Sequence, residues 1–545
     1  MRGTHIYFVL LLTLSLSPQR TGGYGALDHT PDPRCLFGDQ WQNNSVERLP
    51  VVREIPVATG GLQQAFIQED EEPQWLPIRI MFFTFDLRNS SRYCTVSGTT
   101  RPNYRGGTAI CTVNDILTDD KKAMLSAQIL PQATKMHADR LLIKRRIQSV
   151  FVPTFRDNVC NSFTIPVAHR SKGVNQTDMI LYVASGPSST GGASIAQACA
   201  TLSNGRPIIG AINFAPGAIV RSGVSVRMAA HEIAHVLGFN YNTMKNLNMI
   251  TRLSNIRGKS IVTVVNSTKV LEVARTYYGC DSLAGVELED GGGRGVAGSH
   301  WERRIAMDDL MAVNVGLSAY SVLTMAFFED TGFYKVVWEK GERMVWGRNA
   351  GCEFINEKCV TNNRTKYPNM FCTEPTDEKL YCTYDRQALG HCTLKNHKKT
   401  LRPEFQYFGD ANIGGSDADA MDFCPIIAPY RDSYCTNGEQ QLLLGSRIGP
   451  HSRCIKGDGL QIHSEEVGDV CAEVQCSKGT VSLRYVGDDK WYACPEGGYL
   501  TPTSFSGGRL VCPKWEEVCY DGLRPNVLSA VALLIWWCVG VVLVS

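Results

Sequence analysis

Histidine is scarce in this chain, with 11 among 545 residues, and an H-E-x-x-H string would arise in it by chance with a probability of about one in a hundred. Basic clusters are absent beyond Lys144-Arg145-Arg146, and the formal net charge is only +2. Little is available to neutralise a phosphate backbone, which argues against nucleic acid as a partner. No two cysteines stand as a C-x-x-C pair. That absence speaks against zinc knuckles at Cys352 and Cys359 or at Cys471 and Cys476. No internal repeat divides the chain.

Apolar runs mark the two ends. The run 6–16 follows Arg2 and precedes Gly22, Gly23, Gly25 and Ala26, so residues 1–26 read as a secretory signal peptide. Sequons at Asn43, Asn89, Asn175, Asn266 and Asn363 agree with a glycosylating pathway. The run 527–544 ends at Ser545 with no basic flank, as a GPI-attachment signal does. Only Leu523-Arg-Pro-Asn526 separates it from the small pair Asp521-Gly522, which keeps a transmembrane anchor as the alternative. Either way the expected address is the outer cell surface, with the membrane as one partner.

The chain has 20 cysteines. Setting aside Cys35, in a polar segment behind the signal peptide, and Cys538, in the apolar tail, leaves 18, an even number that predicts nine disulfides in an oxidising compartment. Thirteen of these fall between Cys352 and Cys519, so the C-terminal third is expected to be a stapled, loop-rich domain. With 43% hydrophobic residues the chain can bury several cores, and its length suggests two to four domains. The Pro-, Gly- and acid-rich block 27–72 reads as a removable pro-segment. It holds one lone thiol, Cys35.

The central motif is Met228-Ala-Ala-His231-Glu232-Ile-Ala-His235-Val-Leu-Gly238-Phe239. On a helix, residues four apart share a face, so His231 and His235 can aim at one zinc ion with Glu232 beside the open position as general base. Gly238 sits where a left-handed cap would end the helix. Strand-like runs at 78–86, 179–184 and 207–213 and a helical pattern over 119–146, interrupted at Pro131, predict an α+β or α/β catalytic half. The Pro and Gly of 207–213 suggest an edge strand on which a peptide substrate could pair.

A catalytic zinc needs a third protein ligand. Three residues after Gly238, where metzincins usually place a histidine, stands Tyr241, and a thermolysin-type E-x-x-x-D fails because Glu272 is followed by Thr276. The strong candidate is His300, at the end of a glycine-rich stretch from Gly291 whose backbone could bring it close. Asp309-Leu310-Met311-Ala312 then offers a Met-turn, with Met325 as a helical core methionine instead. The remaining histidines, among them His137 and His169, read as solvated or structural.

These motifs, with Cys111-Thr-Val-Asn-Asp-Ile-Leu, Tyr278-Gly-Cys, Ala297-Gly-Ser-His, Leu323-Thr-Met-Ala-Phe-Phe-Glu-Asp and Met421-Asp-Phe-Cys-Pro, resemble the leishmanolysins, surface proteases of kinetoplastid parasites, from about residue 77 to 520. The resemblance implies a metzincin-type zincin in which a long insertion parts the glycine from the third histidine, carrying that role to His300. It implies an N-terminal catalytic domain (73–239), a central domain (240–350), a disulfide-rich C-terminal domain (351–522) and an anchor signal (523–545). The implied reaction is hydrolysis of protein and peptide substrates, water being activated on zinc with Glu232 as base. Members also carry a pro-segment cysteine, and Cys35 is expected to bind the zinc as thiolate and displace the catalytic water until the segment is removed. A second reading is an adhesin that binds host-cell surface proteins through its C-terminal third.

Overall fold

The structure, a computed structural model, describes residues 49, 51–52 and 74–519 apart from 145–148, 157–158, 188–193, 222, 294–295, 314–318, 377–378 and 464. The expected signal peptide, Cys35, most of the pro-segment and the tail 523–545 lie outside the described residues.

A four-stranded sheet organises the first half. Its strands are β1 (Ile80–Phe83), β2 (Met179–Ala184), β3 (Ile195–Thr201) and β4 (Pro207–Asn213), in the spatial order β1-β2-β4-β3. β1, β2 and β4 run parallel and β3 is antiparallel to β4. The apolar runs are continuous because the sheet is covered on both faces. Met179, Leu181 and Val183 face the main core, while Ile180, Tyr182 and Ala184 face a second cluster with Val150, Val152, Phe155 and Phe163. The Cys160–Cys199 disulfide ties that second layer to β3.

The edge-strand expectation for 207–213 is wrong: β4 lies between β2 and β3. Two local features let it do so. Pro207 opens the strand, where its missing N–H costs least, and register shifts on either side of Ile209 absorb the irregularity. Gly210 serves packing, because a β-carbon there would come within 2.0 Å of Val236 Cγ1 on the helix below. The sheet edges are β1 and β3.

The helical pattern over 119–146 is also shorter than expected. It forms α1 (Asp119–Met124), a π-turn over Leu125–Ile129 and α2 (Leu130–Ala138). Pro131 does not break the run, since the wide turn before it, closed by Leu130 N–H donating to Leu125 O, relieves the preceding carbonyls. Leu141–Lys144 is then a strand, with Leu141 and Ile143 buried and Lys144 exposed, the period of two that a sheet imposes. It pairs with Trp75–Pro77 and Lys335–Val336.

Under the sheet lies α3 (Gly223–Leu237), and beyond it α4 (Thr268–Tyr278) and α5 (Val322–Asp330). One apolar core spans residues between 78 and 426, gathering β2, α3, α4 and α5. A separate core near the C-terminus packs Ile455, Leu460, Val470, Leu483, Tyr485 and Leu510 among short antiparallel strands.

All 18 cysteines between Cys94 and Cys519 form nine disulfides. Six lie wholly within the C-terminal third, as the uneven cysteine density predicts. Cys352, Cys359, Cys471 and Cys476 are all bridged, which removes the knuckle alternative.

Candidate metal centre

The centre is built on α3. Ala229, Ala230, Ala234, Val236 and Leu237 bury that helix on every side, and its last turns are inaccessible to solvent. The helix stops at Leu237 because Gly238 takes φ +124°, a conformation that disfavours side chains. The reversal brings Phe239 O back over the helix, where it accepts a hydrogen bond from His235 Nδ1 at 2.8 Å. Tyr334 Oη donates to Leu237 O at 2.9 Å and satisfies one terminal carbonyl.

The structure brings His231, His235 and His300 together. Their Nε2 atoms stand 3.1 Å (His231 to His235), 3.2 Å (His231 to His300) and 3.2 Å (His235 to His300) apart, and all three residues are fully buried. Each Nδ1 faces a backbone carbonyl: Leu310 O at 2.6 Å for His231, Phe239 O at 2.8 Å for His235 and Val296 O at 2.9 Å for His300. With Nδ1–H donating outward, three unprotonated Nε2 atoms are left facing one another. Burial, reinforced by the neighbouring His300, pushes the His231 pKa down to about 3. Burial pushes that of His300 down to about 4 and that of His235 well below the ordinary imidazole value. Three neutral imidazoles in this array fit a zinc ion. Ligands of a tetrahedral zinc with Zn–N of ~2.05 Å stand roughly 3.3 Å apart.

His300 reaches this place on a loop that closes on itself. Glu289 N–H donates to His300 O (3.0 Å) and Gly298 N–H to Glu289 O (2.7 Å). Tyr241, the residue that occupies the usual ligand position, packs instead beside this loop. A β-carbon on Gly298 would lie 3.1 Å from its ring. Glu272 takes no part, being on the surface and paired with Lys269.

Met311 lies buried in a turn closed by Ala312 N–H donating to Asp309 O. The preceding residue, Leu310, supplies the carbonyl that holds His231, and Trp301 N–H donates to Met311 O at 2.9 Å. The turn is thereby locked to both His231 and the neighbour of His300. Asp309 organises it, accepting hydrogen bonds from Met311 N–H (2.6 Å), Thr324 Oγ1 (2.6 Å) and Ser321 Oγ. Burial pushes its carboxyl up to about 6. Met325 is a buried α5 residue, as expected of a core methionine.

Of the two roles left open for His137, solvated or structural, the structure shows the second. His137, fully buried, bonds Ala230 O through Nε2 (2.9 Å) and Tyr320 Oη through Nδ1 (3.1 Å), anchoring α2 to α3. Asp309 opens the expected Met-turn motif, but Asp308 stands beside it, and the sequence does not say which of the two organises the turn. The three carbonyl partners carry no side-chain signal at all.

Residues 45–526 match the family model described as leishmanolysin, peptidase M8. The chain belongs to the leishmanolysin family. It is 37% identical over 469 residues to a leishmanolysin of Leishmania chagasi, covering 83% of this chain and 78% of that protein. Against a leishmanolysin of Leishmania donovani it is 37% identical over 526 residues, covering 92% and 88%. A leishmanolysin homolog of Crithidia fasciculata is 34% identical over 472 residues, with 83% and 72% covered. The leishmanolysin family is one of zinc metalloproteases, and this member is a metalloendopeptidase acting on protein substrates.

Proposed function

We propose that this leishmanolysin-family chain is a cell-surface zinc metalloendopeptidase in which His231, His235 and His300 hold the metal and Glu232 is the general base. The observation that carries this reading is the buried triangle of three Nε2 atoms, each ring already donating its other nitrogen to a carbonyl. Zinc bound there would supply Lewis acidity and allow water to be activated near neutral pH. Glu232 follows His231 directly on α3 and is buried beside the triad. It takes the proton of the attacking water and returns it to the leaving amine. The three carbonyls hold the imidazoles neutral and oriented through the reaction, and the turn carrying Met311 underpins His231.

The same reading assigns a metzincin-type layout of catalytic (73–239), central (240–350) and cysteine-rich (351–522) domains, after a signal peptide (1–26) and a pro-segment (27–72) bearing Cys35. Nine disulfides support passage through an oxidising compartment. Among the described residues no helix is long and apolar enough to cross a membrane. The apolar run 527–544 supports attachment through 523–545, as a GPI signal or a transmembrane anchor. The complete histidine set supports a working protease over an adhesin in which proteolysis is secondary.

The test is substitution with two readouts. Glu232→Ala should retain one zinc per chain and lose casein hydrolysis, and His300→Ala should lower zinc content. Proteolysis surviving in the first variant would reject the base, and undiminished zinc in the second would reject the third ligand.

A further inference from the structure

We propose that Glu289, Asp290 and Glu302 form a second metal site, for a calcium-like divalent cation, at the neck of the loop that carries His300. One oxygen from each of these carboxylates lies within 4.8 Å of the others. Oxygens on opposite sides of a calcium ion, each ~2.4 Å from it, stand about as far apart. The donors are all hard oxygens, which suit calcium, magnesium or manganese and not zinc.

The surrounding charges point the same way. Glu287, Glu289, Asp290, Glu302 and Asp422 crowd around Lys259 and Arg257. Lys259 Nζ stands 2.8 Å from Asp422, 3.0 Å from Asp290, 3.4 Å from Glu287 and 3.6 Å from Glu302, while Arg257 serves Glu287 and Asp422. Among the described residues Glu289 makes no ion pair, although it is only 3% exposed. Its Oε1 accepts from Gly291 N–H at 2.7 Å, and its Oε2 has no hydrogen-bond partner. Glu302, fully buried, likewise has an Oε2 without a hydrogen bond. Two buried carboxylate oxygens without hydrogen bonds, that of Glu302 facing Lys259 Nζ only at 3.6 Å, lie beside a third carboxylate and leave a place that a cation would fill.

Access and consequence follow from position. Asp290 is 40% exposed, and a cleft of about 700 Å³ lined by Glu289, Asp290 and Asp422 opens on the cluster, so an ion can enter and complete its shell with water. Glu289 and Asp290 begin the loop and Glu302 follows its end. Backbone bonds already join these ends, with Glu289 N–H donating to His300 O and Glu302 N–H to Glu287 O. A cation bridging them would clamp the neck. The benefit to His300 rests on the zinc reading above, whereas cation binding itself does not.

The test uses the full, zinc-loaded protein in chelator-free buffer, with terbium as luminescent probe and calcium as competitor. Trp301, adjacent to Glu302, serves as the sensitiser. One saturable terbium equivalent should appear, be displaced by calcium, and be accompanied by a calcium-dependent rise in Tm. Asp290→Asn should weaken binding about tenfold or more and Glu289→Gln should abolish it. His300→Ala should keep it, which separates this site from the zinc centre. Should Glu289→Gln fail to fold, the half-exposed Asp290 decides. Absence of both the terbium signal and a Tm shift at ~10 mM calcium, above the range of weak extracellular sites, would overturn the proposal. So would binding unchanged in the acidic variants, or a stability that responds to pH but to no divalent ion, which would mean that protons neutralise the cluster.

Discussion

The distance between α3 and the sheet is set at Gly210. A β-carbon there would meet Val236 Cγ1 at 2.0 Å and Gln197 O at 3.1 Å. Gly210→Ala is expected to destabilise the fold by at least ~1–3 kcal/mol, the usual cost of overpacking. Val236→Ala should restore part of that loss in the double variant, although the Gln197 contact remains. Strictly additive effects in a denaturant double-mutant cycle would show that the strain lies elsewhere. A second residue-scale effect belongs to His137. Burial lowers its pKa from 6.5 to about 3, so between those values the unfolded chain binds a proton that the folded chain refuses. Stability from this group is complete above pH 6.5 and is lost as the pH falls towards 3, at up to ~1.4 kcal/mol per pH unit. His137→Gln can still bond Ala230 O and Tyr320 Oη without titrating. Urea midpoints between pH 7 and 5 should therefore fall less steeply in the variant than in the parent, at fixed zinc. Equal slopes would assign the acid sensitivity to other groups.

At the scale of elements, the parts legible in the sequence are those whose signal is local. The alanine-rich flanks and Gly238 announced α3 and its end, and the runs at 179–184 and 207–213 announced β2 and β4. What failed depended on partners far along the chain. Pro207 and Gly210 look like edge residues until α3 and β3 are in place. Pro131 looks like a break until the π-turn forms. Leu141–Lys144 continues a helical pattern yet pairs with residues 65 or more positions away, in Trp75–Pro77 and Lys335–Val336. Of the centre itself, the three histidines were legible from residue type and spacing, with the family resemblance placing the third. The carbonyls of Leu310, Phe239 and Val296 were not, because any residue supplies a carbonyl. Cysteine parity predicted nine bridges but no pairing. Among these, Cys280–Cys352 joins the end of α4 to the helix Gly351–Asn356 across 72 residues. Chain-entropy reasoning assigns such a loop ~4 kcal/mol. The Cys280→Ser, Cys352→Ser double variant should lower the urea midpoint accordingly, and an unchanged midpoint would mean that the α4–α5 packing alone holds that junction.

At the scale of the whole molecule, the proposed function predicts that the pro-segment keeps a preformed centre silent in the precursor. The described part of the expected pro-segment touches the sheet: Val52 N–H donates to Thr201 O at 2.9 Å, a parallel bridge at the end of edge strand β3. A segment docked there leaves Cys35 upstream by 16 residues (51 − 35), enough chain to span up to ~50 Å when extended. On the proposed reading a linker of that length carries the thiol to the histidine triad, where zinc would favour the thiolate. Uncleaved precursor carrying Cys35→Ser, purified with zinc, should hydrolyse casein that the unmodified precursor leaves intact. Val52→Pro, which removes the donor to Thr201, should loosen the segment and partly relieve latency while Cys35 is still present. Latency equal in the parent and the Cys35→Ser precursor would show that the segment acts by steric cover. Latency untouched by Val52→Pro would show that the β3 contact does not hold the segment in place.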